Sequence, residues 1–102
     1  MTDESIEKEI QEKGLMAKRV RFEDIKAKVE ALEFQFWRVK YTTATVCAAV
    51  DPTGFVVAIG QSACISAGNF DEEIGRKVAK DDAIKKATDE LWKLEGYRLK
   101  NE

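Results

Sequence analysis

The stretch 60–79, GQSACISAGNFDEEIGRKVA, is where a sheet gives way to the helix that must cover it. An apolar run ends at Ala63, a loop of small residues turns the chain, and Asn69 stands as a good helix N-cap with Glu72 three residues later. Asp71, Glu72 and Glu73 then put negative charge where the helix dipole is positive. From Ile74 the spacing is helical to about Leu91. Gly75, Ala79, Ala83 and Ala87 recur every four residues as a smooth stripe, flanked by Ile74, Val78, Ile84 and Leu91. Such a stripe suits close contact with a sheet of small residues, or equally a helix–helix contact between two copies. Asp81, Asp82, Lys85, Lys86, Asp89 and Glu90 fall mostly on the solvent side. Gly96 reads as the C-cap, after which Tyr97 and Leu99, with Trp92 and Leu94 before it, fold back onto the core.

Upstream, three segments have a two-residue period. In residues 34–41, FQFWRVKY, Trp37, Val39 and Tyr41 share one face and are expected to meet the core. Phe34, Phe36, Arg38 and Lys40 share the other, an aromatic and cationic surface suited to an interface or a ligand. Residues 43–50 and 55–63 form the next two strands, joined by Asp51-Pro52-Thr53-Gly54. Proline sets the turn angle there, aspartate bonds its own backbone and glycine accepts positive φ. Ala44, Ala48, Ala49, Ala58 and Gly60 keep one side of this hairpin low. The fold class is therefore α+β: a three-stranded antiparallel sheet covered by a long C-terminal helix, with one or two short N-terminal helices.

Those short helices are residues 2–13, with Ile6 and Ile10 one turn apart between Thr2 or Asp3 as cap and Gly14 as stop, and residues 22–33, with Phe22, Ile25, Val29 and Leu32 on one side. The first has a thin apolar stripe and either docks or frays. At 102 residues the chain is one domain, with residues 1–14 as that helix and residues 15–102 as the core. Between the helices Lys18, Arg19 and Arg21 lie close together, either as a solvated link or as a small cationic spot.

Charged residues make up 35% of the chain with a net charge of −2, which disfavours bulk nucleic-acid binding. There is no histidine, and Cys47 and Cys64 form no CxxC. A metal site is not expected, and a serine or cysteine nucleophile would lack its commonest base. The cysteines read as buried free thiols in a reducing cytosol. Cys64 lies near a helix N-terminus, but the acids at 71–73 oppose its activation. No signal core or membrane-spanning run is present. No catalytic residues, cofactor or membrane partner are expected.

The segments EI with KG near the N-terminus, Gly54-Phe55, SAC (residues 62–64), NFD with EIGRK (residues 69–77) and W with LEGY (Trp92 and residues 94–97) together make the chain similar to a family of small tailed-phage and prophage proteins. Its founding members are gene products forty-nine and sixty-six of two enterobacterial phages. The chain departs from that pattern in having Lys93 in place of proline, Arg21-Phe22 in place of threonine-proline, and about four extra residues before Trp92. Four residues are about one helical turn, so the helix face is kept. The resemblance implies a phage origin and a small accessory protein in the cytoplasm of the bacterial host. It supplies no activity, cofactor or catalytic residue; Asn69, Arg76, Trp92 and Tyr97 are the side chains its motifs share.

Three functions compete. The first is stoichiometric binding of a small anionic, nucleotide-like ligand, such as a signal of host antiphage defence, through Arg38, Lys40, Lys18, Arg19, Arg21, Asn69 and Arg76. The second is antagonism of, or adaptation to, a host protein. The third, nucleic-acid binding, is disfavoured by charge. A homodimer is expected, with Phe34 and Phe36 at its interface.

Overall fold

The structure, a computed structural model, describes residues 3–12 and 18–102. Within them lie helix α1 (Asp3–Glu12), helix α2 (Phe22–Glu30), strands β1 (Glu33–Arg38), β2 (Ala44–Val50) and β3 (Val56–Ala63), one 3₁₀ turn (Ala67–Asn69) and helix α3 (Glu72–Lys100). The strands form one antiparallel sheet in the order β1-β2-β3. This is the expected α+β architecture. Thr2 and Gly14, proposed to bound α1, lie outside the described residues.

The β2–β3 hairpin forms as its sequence requires. Asp51 Oδ1 accepts from the amides of Thr53 and Phe55 and from the Thr53 hydroxyl, and Gly54 takes φ 89°. A bulge at Ala49/Val50 lets Val57 turn inward with Ala58. The core lies between the sheet and α3, where Ala79, Ala83 and Ala87 are fully buried against Cys47, Ala49 and Gly60. A methyl group added at Gly60 would stand 2.7 Å from Ala83 Cα, so glycine is what allows the helix this close. Ile25 and Leu32 seal the far end with Leu91.

Three expectations change. The faces of β1 are reversed: Phe34 and Phe36 are half-buried toward α3, whereas Trp37 is 47% and Tyr41 92% exposed. Register explains it. Phe34 and Phe36 stand opposite Ala49 and Cys47, which lie wholly beneath the helix, and strand alternation then turns Trp37 outward. The strand also stops at Arg38, so Val39 and Tyr41 belong to a turn in which Tyr41 has φ 66°. Phe34 and Phe36 therefore line the inner side of the sheet.

The cap of α3 is Asp71, not Asn69. Asn69 ends the 3₁₀ turn, Phe70 is extended, and Asp71 Oδ1 accepts from the Ile74 amide. Finally, α3 runs through Gly96 to Lys100. Glu95 is held by Lys28 at 3.1 Å and Arg98 at 2.8 Å across this turn, and an interior glycine costs a helix only about 1 kcal/mol. Leu94 and Tyr97 consequently stay on the surface, while the Trp92 indole N–H donates to Asp3 and ties α1 to α3.

Candidate functional site

α3 packs chiefly on β3 and β2, which leaves the inner face of edge strand β1 as a shelf beside the helix. Alternation puts Phe34, Phe36 and Arg38 on this shelf, next to Thr45 of β2. The helix contributes Glu72, Glu73, Arg76, Lys77 and Lys80 along its wall. Phe36, Trp37, Arg38, Thr45, Glu72 and Arg76 line one cleft. A second, lined in part by Lys77 and Lys80, shares Phe36 and Arg76 with it and so lies beside it.

Arg38, Arg76 and Lys80 are each positioned by a neighbour. The Arg38 guanidinium stacks 4.0 Å from the centre of the Phe70 ring, and its Nε donates to the Thr42 carbonyl at 2.7 Å. Arg76 pairs with Glu72 at 3.0 Å, an i,i+4 contact that leaves both partly exposed. Lys80 Nζ stands 4.8 Å from the Phe34 ring centre. Thr45 is 3% exposed, and its hydroxyl has no hydrogen-bond partner among the described residues. With Arg38 on the shelf and three cations on the helix wall, four cations stand beside two carboxylates, a local positive excess on a chain of net charge −2.

The structure thus brings Arg38 and Arg76 together and separates the other sequence-predicted residues from them. Lys40 projects from the turn, 5.2 Å from the Tyr41 ring. Asn69 lies in a neighbouring, mainly apolar cleft with Cys64, Ile74 and Val78. Lys18 pairs with Glu102 at the other end of α3, about 40 Å away along a helix of 29 residues. Arg19 is bound to the buried Glu7 at 2.6 Å, and this guanidinium holds the Glu7 carboxyl below its ordinary value. Arg21 is the extended residue that opens α2. The cluster at 18–21 therefore serves to dock α1 and the C-terminus.

Sequence reading missed Thr45, Phe70 and Lys80. A hydroxyl among the small buried residues of β2 was the one available signal, since the stacking of Phe70 depends on the 3₁₀ turn. Burial pushes the Cys47 thiol up, only partly opposed by Lys80, so this thiol is not an activated nucleophile. Among the described residues no group of three potential ligands is placed to hold a metal ion, and no helix is long and apolar enough to cross a membrane. The arrangement can bind an anion and stack a flat ring.

The geometry defines an α+β chain with a cationic, aromatic shelf between β1 and α3. Over residues 1–102 the chain matches the family model described as Phage protein (N4 Gp49/phage Sf6 gene 66) family, and it belongs to that family. No curated protein and no solved structure matches it.

Proposed function

We propose that this phage-family protein is a non-catalytic accessory protein that binds a small anionic, nucleotide-like ligand stoichiometrically on the β1–α3 shelf. By doing so in the cytoplasm of the bacterial host it withdraws a nucleotide signal of antiphage defence. The observation that carries this reading is the convergence of Arg38 and Arg76 beside Phe36 in one cleft between β1 and α3. Guanidinium groups suit phosphate, and an aromatic face suits a stacked base. Isothermal titration against linear and cyclic nucleotides tests it. At least one member should bind, and Arg38→Ala should weaken that binding by about 10-fold or more, as loss of a charged hydrogen bond does. No heat from any member removes the reading.

A second reading, antagonism of a host protein, draws on the sheet's outer face. By the strand register that face presents Gln35, Trp37, Val46, Val56, Ile59 and Gln61, with Glu33 at one corner as its only charge. Ile59→Lys should abolish capture of a host protein from lysate while leaving nucleotide binding unchanged. A gel shift with duplex or single-stranded DNA at moderate salt should show no complex.

A further inference from the structure

The two edges of the sheet are not alike. On β3 the outward amide of Gln61 donates to Asp82 Oδ2 at 2.9 Å, and the Ser62 hydroxyl donates to the Gly75 carbonyl, so α3 closes that edge. On β1 no described element pairs with the outer edge. Its parity is fixed by Val39, whose amide donates across to Ala44 at 3.0 Å. The odd residues of β1 therefore bond to β2, and Phe34, Phe36 and Arg38 direct their N–H and C=O groups outward. Residues 34–37 carry no charge, no proline and no bulge, the devices that ordinarily protect such an edge.

We propose that this edge pairs with β1 of a second copy about a twofold axis, and that the ligand shelf is complete only in that dimer. The proposal deepens the ligand-binding reading above and rests on it for the ligand. Outward-facing residues can pair only with outward-facing residues. Of the antiparallel registers this permits, the one centred on Phe36 pairs residues 34–38 within the strand and extends to Glu33 opposite Val39, whose amide still bonds to Ala44 beside the strand end. It sets Phe34 opposite Arg38 of the partner subunit and Gln35 opposite Trp37 of the partner subunit, with no like charges facing. The result is a continuous six-stranded sheet with both α3 helices on one side. With strands about 4.8 Å apart and each helix over β2 and β3, the helix axes stand about 19 Å apart and leave a trough about 9 Å wide. Its floor is the two sets of Phe34, Phe36 and Arg38, and Arg76 and Lys80 rise on both walls. An open half-shelf becomes an enclosed anion channel with one cationic cluster from each chain.

Light scattering coupled to gel filtration on the wild-type chain at tens of micromolar should give twice the mass of one chain. The Gln35→Cys/Trp37→Cys double variant should form an intermolecular disulfide on mild oxidation, because these positions face each other as a non-hydrogen-bonded pair about 4.5–5.5 Å apart. Gln35→Cys alone should not. Wild-type amide exchange gives an independent reading: Phe34, Phe36 and Arg38 should be protected at high concentration and exchange freely on dilution. Titration with ATP and the linear dinucleotide pApA should saturate at one molecule per two chains. A monomer mass, a dimer that does not cross-link and leaves those three amides unprotected, or saturation at one molecule per chain would overturn the proposal. A cross-linked dimer that binds neither probe would uphold the seam and count against the ligand reading.

Discussion

Gly60 and Ala83 meet where α3 crosses β3, and their lack of side-chain volume sets the distance between helix and sheet. A methyl group at Gly60 meets backbone atoms of Ala79 and Ala83, which cannot rotate away. Gly60→Ala should therefore lose about 3 kcal/mol in urea unfolding, at the upper end of the overpacking range, and Ala83→Leu about 1–3 kcal/mol. An unchanged midpoint for either would mean that the helix does not rest there. The helix start offers a sharper contrast. Asp71 accepts the Ile74 amide, whereas Asn69 ends the preceding 3₁₀ turn. Asp71→Ala should cost about 1 kcal/mol, and Asn69→Ala should leave the midpoint nearly unchanged. The opposite ranking would restore Asn69 as the cap. Both residues are good cap types, and residue type alone does not choose between two caps two positions apart. The 3₁₀ turn between them does.

At the scale of elements, the hairpin and the small-residue stripe were legible because each is a local pattern with one physical solution. Asp51-Pro52-Thr53-Gly54 can hardly be other than a turn, and Ala79, Ala83 and Ala87 share a face in any helix. The faces of β1 were not legible. Both of its alternating sets contain aromatics, and only pairing with Cys47 and Ala49 selects the inner one. The end of α3 was not legible at Gly96, because the ion pairs of Lys28 and Arg98 with Glu95 span that turn and carry the helix through it. A test follows. Gly96 lies inside the helix with nothing within 4 Å of where a Cβ would stand. Gly96→Ala should raise stability by about 0.5–1 kcal/mol, by relieving the entropy that glycine loses on ordering. A loss of stability would show that the helix ends or bends at that point.

Across the whole molecule, carboxylates tie distant parts of the chain together, and their long-range partners could not be read from spacing. Glu7 reaches Arg19, Asp82 reaches the Gln61 amide as well as Lys86, Glu95 joins α2 to α3, and Glu102 meets Lys18. The same limit kept the β1–α3 shelf half hidden, since Arg38 and Arg76 were visible as cations but Thr45 and Phe70 join them only through tertiary packing. Each of these carboxyls is held below its ordinary value of 3.8 for Asp or 4.5 for Glu: Glu7 by Arg19, Asp82 by Lys86 and then the Gln61 amide, Glu95 by Arg98, and Glu102 by Lys18. Asp51 is lowered in the same way by its Thr53 and Phe55 donors. The sign follows from linkage. Just below the ordinary values the unfolded chain takes up protons that the folded one refuses, so the stabilisation is full above about pH 5 and is lost as pH falls through the depressed values. Histidine is absent, which removes the usual cause of change between pH 6 and 8. Urea midpoints should therefore be level from pH 6 to 8 and fall steadily below about pH 4.5. Asp82→Asn should make that acid slope shallower. A midpoint that holds constant down to pH 3 would mean that these carboxylate contacts do not persist in solution.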